Sequence, residues 1–188
     1  MIILVLGGII SSSLFSALLS IIKYGADTND VLPAITYWLM GSLSFSTSSI
    51  VWNLTIPMLG GILILIFFSK YLNALSLGDE EAKALGINTK LIKLIIIIVA
   101  TLISALSVIL AGIIGWIGLI IPHITRLLFG ADNKVILPMS ALIGAIFLLI
   151  VDNTSKLIFS FEIPIGIVTA IIGIPIFIFV LKNAKKGF

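Results

Sequence analysis

The chain is a succession of apolar runs, each long enough to cross a lipid bilayer or nearly so, separated by short polar joints. A transmembrane helix needs about 20 predominantly apolar residues. The runs cover residues 2–22, 50–68, 91–111, 113–129, 135–150 (with a continuation to 157) and 165–181. This pattern predicts an all-α fold, a polytopic transmembrane helical bundle of about six spans. Composition closes off the alternatives. Of the 188 residues, 60% are hydrophobic and 10% charged, where a soluble domain carries about 25% charged residues. Such a chain cannot cover a globule with polar side chains, which excludes a soluble enzyme. Disorder requires the opposite balance. The 16 glycines without period and the absence of cysteine exclude collagen-like and disulfide-stapled classes.

The joints give orientation. Residues 23–47 carry Asp27 and Asp30 and end in a Ser/Thr-rich stretch, around an apolar centre, AITYWLMG (34–41), too short to span. With Tyr37 and Trp38 suited to a membrane interface, it predicts a short outer re-entrant or interfacial helix. Residues 70–90 form a second long joint centred on Gly78, Asp79, Glu80 and Glu81. Residues 111–118 form a tight glycine-rich reversal, and 130–134 and 160–164 are short connections. With six spans, Lys70, Lys83, Lys90, Lys93, Arg126, Lys134, Lys182, Lys185 and Lys186 fall on one side, against Lys23 and Lys156 on the other. Positive charge concentrates on the cytoplasmic side of membrane proteins, so both termini are expected there, in a plasma (inner) membrane. The first apolar run lacks a basic leader and a small-residue cleavage site, so it reads as a span. It starts at Met1 without a flanking charge. The expectation is one transmembrane domain, 1–188, truncated at its amino end.

Little chemistry of the catalytic kind is present. There is no GxxxxGK[ST] phosphate cradle. His123 is the single histidine, with no nucleophile, acid or second histidine placed to join it. No enzymatic activity, metal site or cofactor is expected, and no nucleic acid, since no basic stripe with interleaved aromatics occurs. Three features stand out. In SLGDEEAKALGINTKLIK (76–93) the acids Asp79, Glu80 and Glu81 suit the positive end of a short helix through Ala82 and Leu85, with Gly86 at its C-terminal break. Such a helix can dock in a groove of a soluble partner, or be a solvated loop. In AGIIGWIGLIIPHITRLLFG (111–130) Gly112, Gly115 and Gly118 recur every third residue, and Pro122 removes a helical hydrogen bond. Broken helices at membrane depth mark a translocation path or close helix packing. His123 and Arg126 share a face of that span; Arg126 is suited to snorkel to the headgroups. Asp152 and Lys156 are spaced for an i,i+4 ion pair at the outer end of the fifth span, with Glu162 beyond it.

These stretches together resemble the carboxy-terminal portion of FecCD-type permeases, the membrane subunits of importers for iron–siderophores, haem and cobalamin. The resemblance rests on TYWLMGSL (36–43), LSLGDEEAKALGI (75–87), LAGIIGWIGLIIPHITRLLFGADNK (110–134), LPMSALIGAIFLLIVDNTSK (137–156) and EIPIGIVTAIIGIPIFIFVLK (162–182), in the family's order. A usual GP-I-G-F is here Gly112-Ile113-Ile114-Gly115-Trp116, without proline. The family has about ten spans, of which this chain resembles the last six. The resemblance implies a bundle with a short cytosolic coupling helix, paired with a second permease copy, two copies of an ABC ATPase subunit and a soluble or lipid-anchored substrate-binding protein. ATP hydrolysis would lie in the separate cassette subunit. Gly78, Asp79, Glu80, Glu81, Ala82, Leu85 and Gly86 map to the ATPase-coupling loop. Gly112, Gly115, Gly118, Pro122, His123 and Arg126 map to the pathway or its hinge. Lys156, with Glu162 and Trp38, maps to the surface that meets the binding protein. The competing expectations are half of a proton- or ion-coupled transporter, which needs an intramembrane carboxylate, and a non-functional permease fragment.

Overall fold

The computed structural model describes residues 2–44, 46–157 and 162–184. Nine helices and no strand occur among them. They form two compact units, Met1–Leu39 and Met40–Phe188.

The first unit holds α1 (Ile2–Gly25) and α2 (Val31–Leu39). Helix α1 is apolar on every side, and none of its spanning window is buried against protein. That is how a helix looks when lipid or further spans are its solvent. The joint to α2 is a polar turn: Asp27 Oδ1 accepts the Asn29 N–H at 3.0 Å, and the Asp27 carbonyl accepts the Leu32 N–H at 2.8 Å. Helix α2 has nine residues, about 14 Å at 1.5 Å per residue, far short of a bilayer's roughly 30 Å. The short helix expected at 34–41 is thus present, starting three residues earlier.

The second unit holds α3 (Ser48–Phe67), α4 (Ser69–Leu77), α5 (Asp79–Ala84), α6 (Thr89–Ala111), α7 (Ile117–Phe129), α8 (Asn133–Leu157) and α9 (Ile165–Ala184). Helix α3 lies along α6. The approach is close because Gly61 is small: a Cβ there would meet Ile103 Cγ1 at 2.7 Å. Small residues permit such packing where no hydrophobic drive separates helix from lipid. Ile62, Leu65 and Ile66 of α3, Ile103 of α6 and Leu137 and Ala141 of α8 meet at one site. The second contact set joins α7, α8 and α9. Val151, Ile165 and Val168 are buried there, with Phe147, Leu148, Ile172, Leu43 and Ile114 packed around them. Ser140 Oγ donates to Thr125 Oγ1 at 3.2 Å, a polar contact between α8 and the fully buried Thr125 of α7.

Helices α1, α3, α6 and α8 are each long and apolar enough to cross a membrane. Two expectations about spans are revised. The run 113–129 does not form one helix: the backbone leaves the helix at Gly112 and re-enters it at Ile117. Helix α7 therefore has 13 residues, about 20 Å, preceded by a non-helical strap. The joint 70–90 holds most of α4 as well as α5, the two parted at Gly78, where one short helix was expected. Helix α8 runs on to Leu157, the longer of the two ends expected. Lys185, Lys186 and residues 160 and 161 of the 160–164 connection lie outside the described residues.

The loop 40–44 is stitched between two helix ends. The Gly41 carbonyl accepts the Ile165 N–H at 2.8 Å and the Met40 carbonyl accepts the Gly166 N–H at 3.0 Å. These satisfy two of the amides that the start of α9 leaves without intrahelical partners. Ser42 N–H donates to the Ala111 carbonyl at 3.0 Å, at the end of α6. Ser46 Oγ donates to the Leu110 carbonyl at 2.8 Å. Any Cβ on Gly166 would collide with the Met40 carbonyl oxygen.

Candidate functional site

Three groups of residues carry the candidate function. The first is the turn from α4 through α5 into α6. Helix α5 has six residues, too few to hold itself together in water, so its caps and tethers decide its existence. Asp79, Glu80 and Glu81 fill its first turn and Lys83 its last, matching the helix dipole. Its C-terminus closes as a Schellman motif: the Gly86 N–H donates to the Lys83 carbonyl at 2.8 Å and the Ile87 N–H to the Ala82 carbonyl at 3.1 Å. That closure places Gly86 at φ +78, a conformation glycine adopts without steric cost. Asn88 then opens α6, its Oδ1 accepting the Leu91 N–H at 3.2 Å.

The side chains of α5 are mostly spoken for. Ala82 is fully buried. Lys93 Nζ, one turn into α6, donates to both Asp79 oxygens at 2.5 and 2.6 Å. The Lys93 hydrogen bond holds the Asp79 carboxyl below its ordinary range. Lys83 Nζ donates to Glu80 Oε1 at 2.8 Å, and the Glu80 hydrogen bond raises Lys83 above the ordinary lysine range. Glu81 folds back over Gly78. Leu77 and Leu85, on either side of α5, are 67% and 65% exposed. The acidic residues that drew attention in the sequence are thus exposed while held by partners within the chain, and the apolar residues at either end of α5 are exposed beside them.

A polar cluster joins the same region to the start of α8. Asn73 Nδ2 of α4 donates to Asp132 Oδ1 at 2.6 Å. Asn73 Oδ1 accepts the Asn133 N–H and the Asn133 Nδ2, both at 2.8 Å. Asp132 Oδ1 also accepts the Lys134 N–H at 2.9 Å. The Asn73 bond, followed by that amide, holds the Asp132 carboxyl below its ordinary range. Sequence reasoning missed Asn73, because nothing local connects it to residues 59 and 60 positions later.

The second group is the strap and the short helix after it. Gly112 ends α6 at φ 68, ψ −155, and Trp116 precedes α7 at φ 67, ψ −37. Positive φ is costly for a residue as large as tryptophan, roughly 1–3 kcal/mol, so packing must hold it. Gly115 lies in the strap and Gly118 in the first turn of α7. The glycine triplet thus does not form one face of a helix; it spans the break. Pro122 lacks an N–H, so the Gly118 carbonyl four residues earlier has no helical donor. His123 and Arg126 are both exposed on α7. His123 Nδ1 lies 2.7 Å from the Leu119 carbonyl. Its ring meets Phe177 of α9 edge-on, with centroids 5.6 Å apart.

The third group is the set expected to meet a binding protein. Lys156 Nζ donates to Asp152 Oδ2 at 2.8 Å, the i,i+4 pair read from the spacing. Glu162 Oε2 accepts Ser44 Oγ at 2.7 Å, so Glu162 helps hold the 40–44 loop to the entry of α9. Trp38 belongs to the first unit, where it lines an apolar groove with Leu19, Ile22 and Ile35. Among the described residues no group of three His, Asp or Glu could hold a metal ion.

Comparison with known proteins agrees with this architecture. A sequence profile of the FecCD transport family matches residues 1–183. The chain is 42% identical over 184 residues to the molybdate import system permease protein MolB of Haemophilus influenzae, covering 98% of this chain and 55% of that one. It is 39% identical over 186 residues to a Helicobacter pylori protein named as an iron chelatin transport system permease, covering 97% and 56%. A solved structure described as an inward-facing conformation of a metal-chelate type ABC transporter superposes with a TM-score of 0.88 at 43% identity, covering 94% of this chain and 57% of that one. The chain spans about half the length of the curated relatives it matches.

Proposed function

From its membership of the FecCD transport family, we propose that this chain is permease-domain machinery of an ABC importer for metal-chelate-type substrates. Both units, 1–39 and 40–188, belong to one permease domain in this reading. It works with a second permease copy, two cassette ATPase subunits and a binding protein, with both termini in the cytoplasm. The relatives named above carry molybdate and iron chelatin in their names. The substrate here is a metal-containing compound of that general kind, delivered from outside.

The observation that carries this reading is α5. It is a short helix outside the apolar spans, closed at its C-terminus and fastened to α6 through Asp79–Lys93. A lever that transmits a partner's motion must be stiff and firmly attached, and α5 has both properties. Leu77 and Leu85, exposed apolar side chains of the kind that fill a groove, carry the contact with the ATPase, with the exposed acids of α5 beside them. ATP binding closes the cassettes, α5 moves with them, and α6 carries the motion into the bundle. The strap 112–116 and the proline-weakened start of α7 supply the pliable element beside the path. Lys156, held out by Asp152, is the basic residue that meets an acidic group of the binding protein, with Glu162 and Trp38 contributing to the outer surface.

The test is co-purification of the tagged chain from gently solubilised native membranes. A cassette ATPase in the eluate, followed by ATP-dependent uptake in proteoliposomes, is the expected result. Recovery of the chain without any ATPase would overturn the reading.

A further inference from the structure

We propose that Asn73 is a positioning residue that clasps α4, the helix leading into the docking helix, to the base of α8, so that α4, α5 and the α7–α8 turn move as one body. The inference rests on the permease reading for its consequence, though not for its geometry. The clasp uses every polar atom of the Asn73 side chain. Its carbonyl oxygen takes the first free amide of α8, at Asn133, together with the Asn133 amide group, and its Nδ2 reaches Asp132. Asp132 takes the next free amide, at Lys134. Two of the four amides that begin α8 are therefore satisfied through this cluster, one of them by a residue from a different helix. No water is needed to bridge α4 and α8.

Asn73 alone would only staple two helices. The second tether gives the clasp a mechanical meaning. Lys93 holds Asp79, so α5 is fixed to α6 at one end, while α4, which enters α5 through Gly78, is fixed to α8 by Asn73. A push on α5 is then shared between α6 and α8. Helix α8 in turn packs on α7 and α9, the two helices flanking the strap. Without the clasp, only packing would link α4 to α8, and α8 would follow α5 less closely.

Two measurements test this, on the full chain. The chain has no cysteine, so the pair Asn73→Cys and Asn133→Cys can be bridged by a short bifunctional thiol reagent in an otherwise unreactive background. With the cognate ATPase and binding protein in proteoliposomes, the unbridged double-cysteine chain should be impaired like Asn73→Ala, and the bridged chain should return to close to the wild-type rate, because the bridge replaces the clasp and the two positions never separate. Continued ATP hydrolysis with transport lost on bridging would overturn the proposal. In the same assay Asn73→Ala should leave ATP hydrolysis nearly unchanged and lower substrate moved per ATP severalfold, a ratio that mere loss of folded protein does not alter. An unchanged ratio would count against the clasp.

Hydrogen exchange on the chain without ATPase separates this proposal from the permease reading. Asn73→Ala should speed exchange about fivefold to tenfold, the effect of losing roughly one hydrogen bond, both at Asn133–Lys134 and across α5. Faster exchange at α8 with α5 unaffected would show that the clasp does not reach the docking helix. If wild-type chain binds no ATPase, the permease reading fails, and the exchange result alone decides whether the clasp joins these elements.

Discussion

Asp79 and Gly166 show how much single residues decide here. The carboxylate of Asp79 is stabilised by Lys93 in the folded chain. A carboxyl whose folded pKa is depressed contributes stability above its unfolded value, and that contribution disappears as pH falls through the folded value. Protection factors of the α5 amides should therefore hold steady from neutral pH down to about pH 4, the ordinary carboxylate range, and drop below it. In Asp79→Asn the pH step should vanish and protection should be low throughout; an intact step in that variant would remove Asp79 as its cause. Gly166 presents a steric limit. The Met40 carbonyl that caps α9 occupies the space of a side chain, and the obstacle is backbone, which cannot rotate aside. Gly166→Ala should destabilise the chain by roughly 1–3 kcal/mol, the usual range for overpacking, read as a lower midpoint in thermal unfolding in detergent. The glycine of EIPIG was visible in the sequence, but its reason was not: the Met40 carbonyl that fills its side-chain space comes from 126 residues upstream (166 minus 40).

Helix α5 shows the same division at the level of an element. Its start, its acidic first turn and its glycine stop were legible, because capping and dipole effects act within a few residues. What its side chains do was not. The sequence marks the whole of 78–86 without ranking its side chains; in the structure Glu80 pairs with Lys83 while staying exposed, and Glu81 lies over Gly78. Leu77 and Leu85 are exposed as well, and they are the apolar part of that surface. Leu77→Ala with Leu85→Ala should therefore weaken ATPase binding at least tenfold, as truncated interface anchors do, with little change between low and high salt. Glu80→Gln should have a small effect. A strong salt dependence, with Glu80→Gln the more damaging change, would return the contact to the acids. For α7 the reverse holds. Hydropathy read 113–129 as one span, because apolar residues continue unbroken through the turn. The backbone breaks there because Gly112 and Trp116 take positive φ, and hydropathy does not register backbone angles.

At the scale of the molecule, the chain is inside out relative to a soluble protein: its spanning windows are between 0% and 11% buried within the chain. Lipid and neighbouring spans must supply the rest of its solvent. An alkaline carbonate wash of membranes should leave the chain in the pellet, and its release into the supernatant would contradict the multi-pass reading. The sequence by itself determined the class of fold, the positions of the long helices to within a few residues and the Asp152–Lys156 pair, and its motifs pointed to the family. The first three follow from hydropathy, capping or a four-residue spacing, which are local; the family rests on the resemblance of whole stretches. Only the tertiary structure decided that the reversal at 111–118 is a non-helical strap, 112–116, that shortens the following helix, that Glu162 secures Ser44, and that Asn73 clasps α8. Each of those depends on groups brought together from 50 or more residues apart. In an apolar chain with few polar side chains, such long-range partners leave no pattern in the sequence, since hydropathy marks which segments enter the membrane and says nothing of which neighbour each one meets.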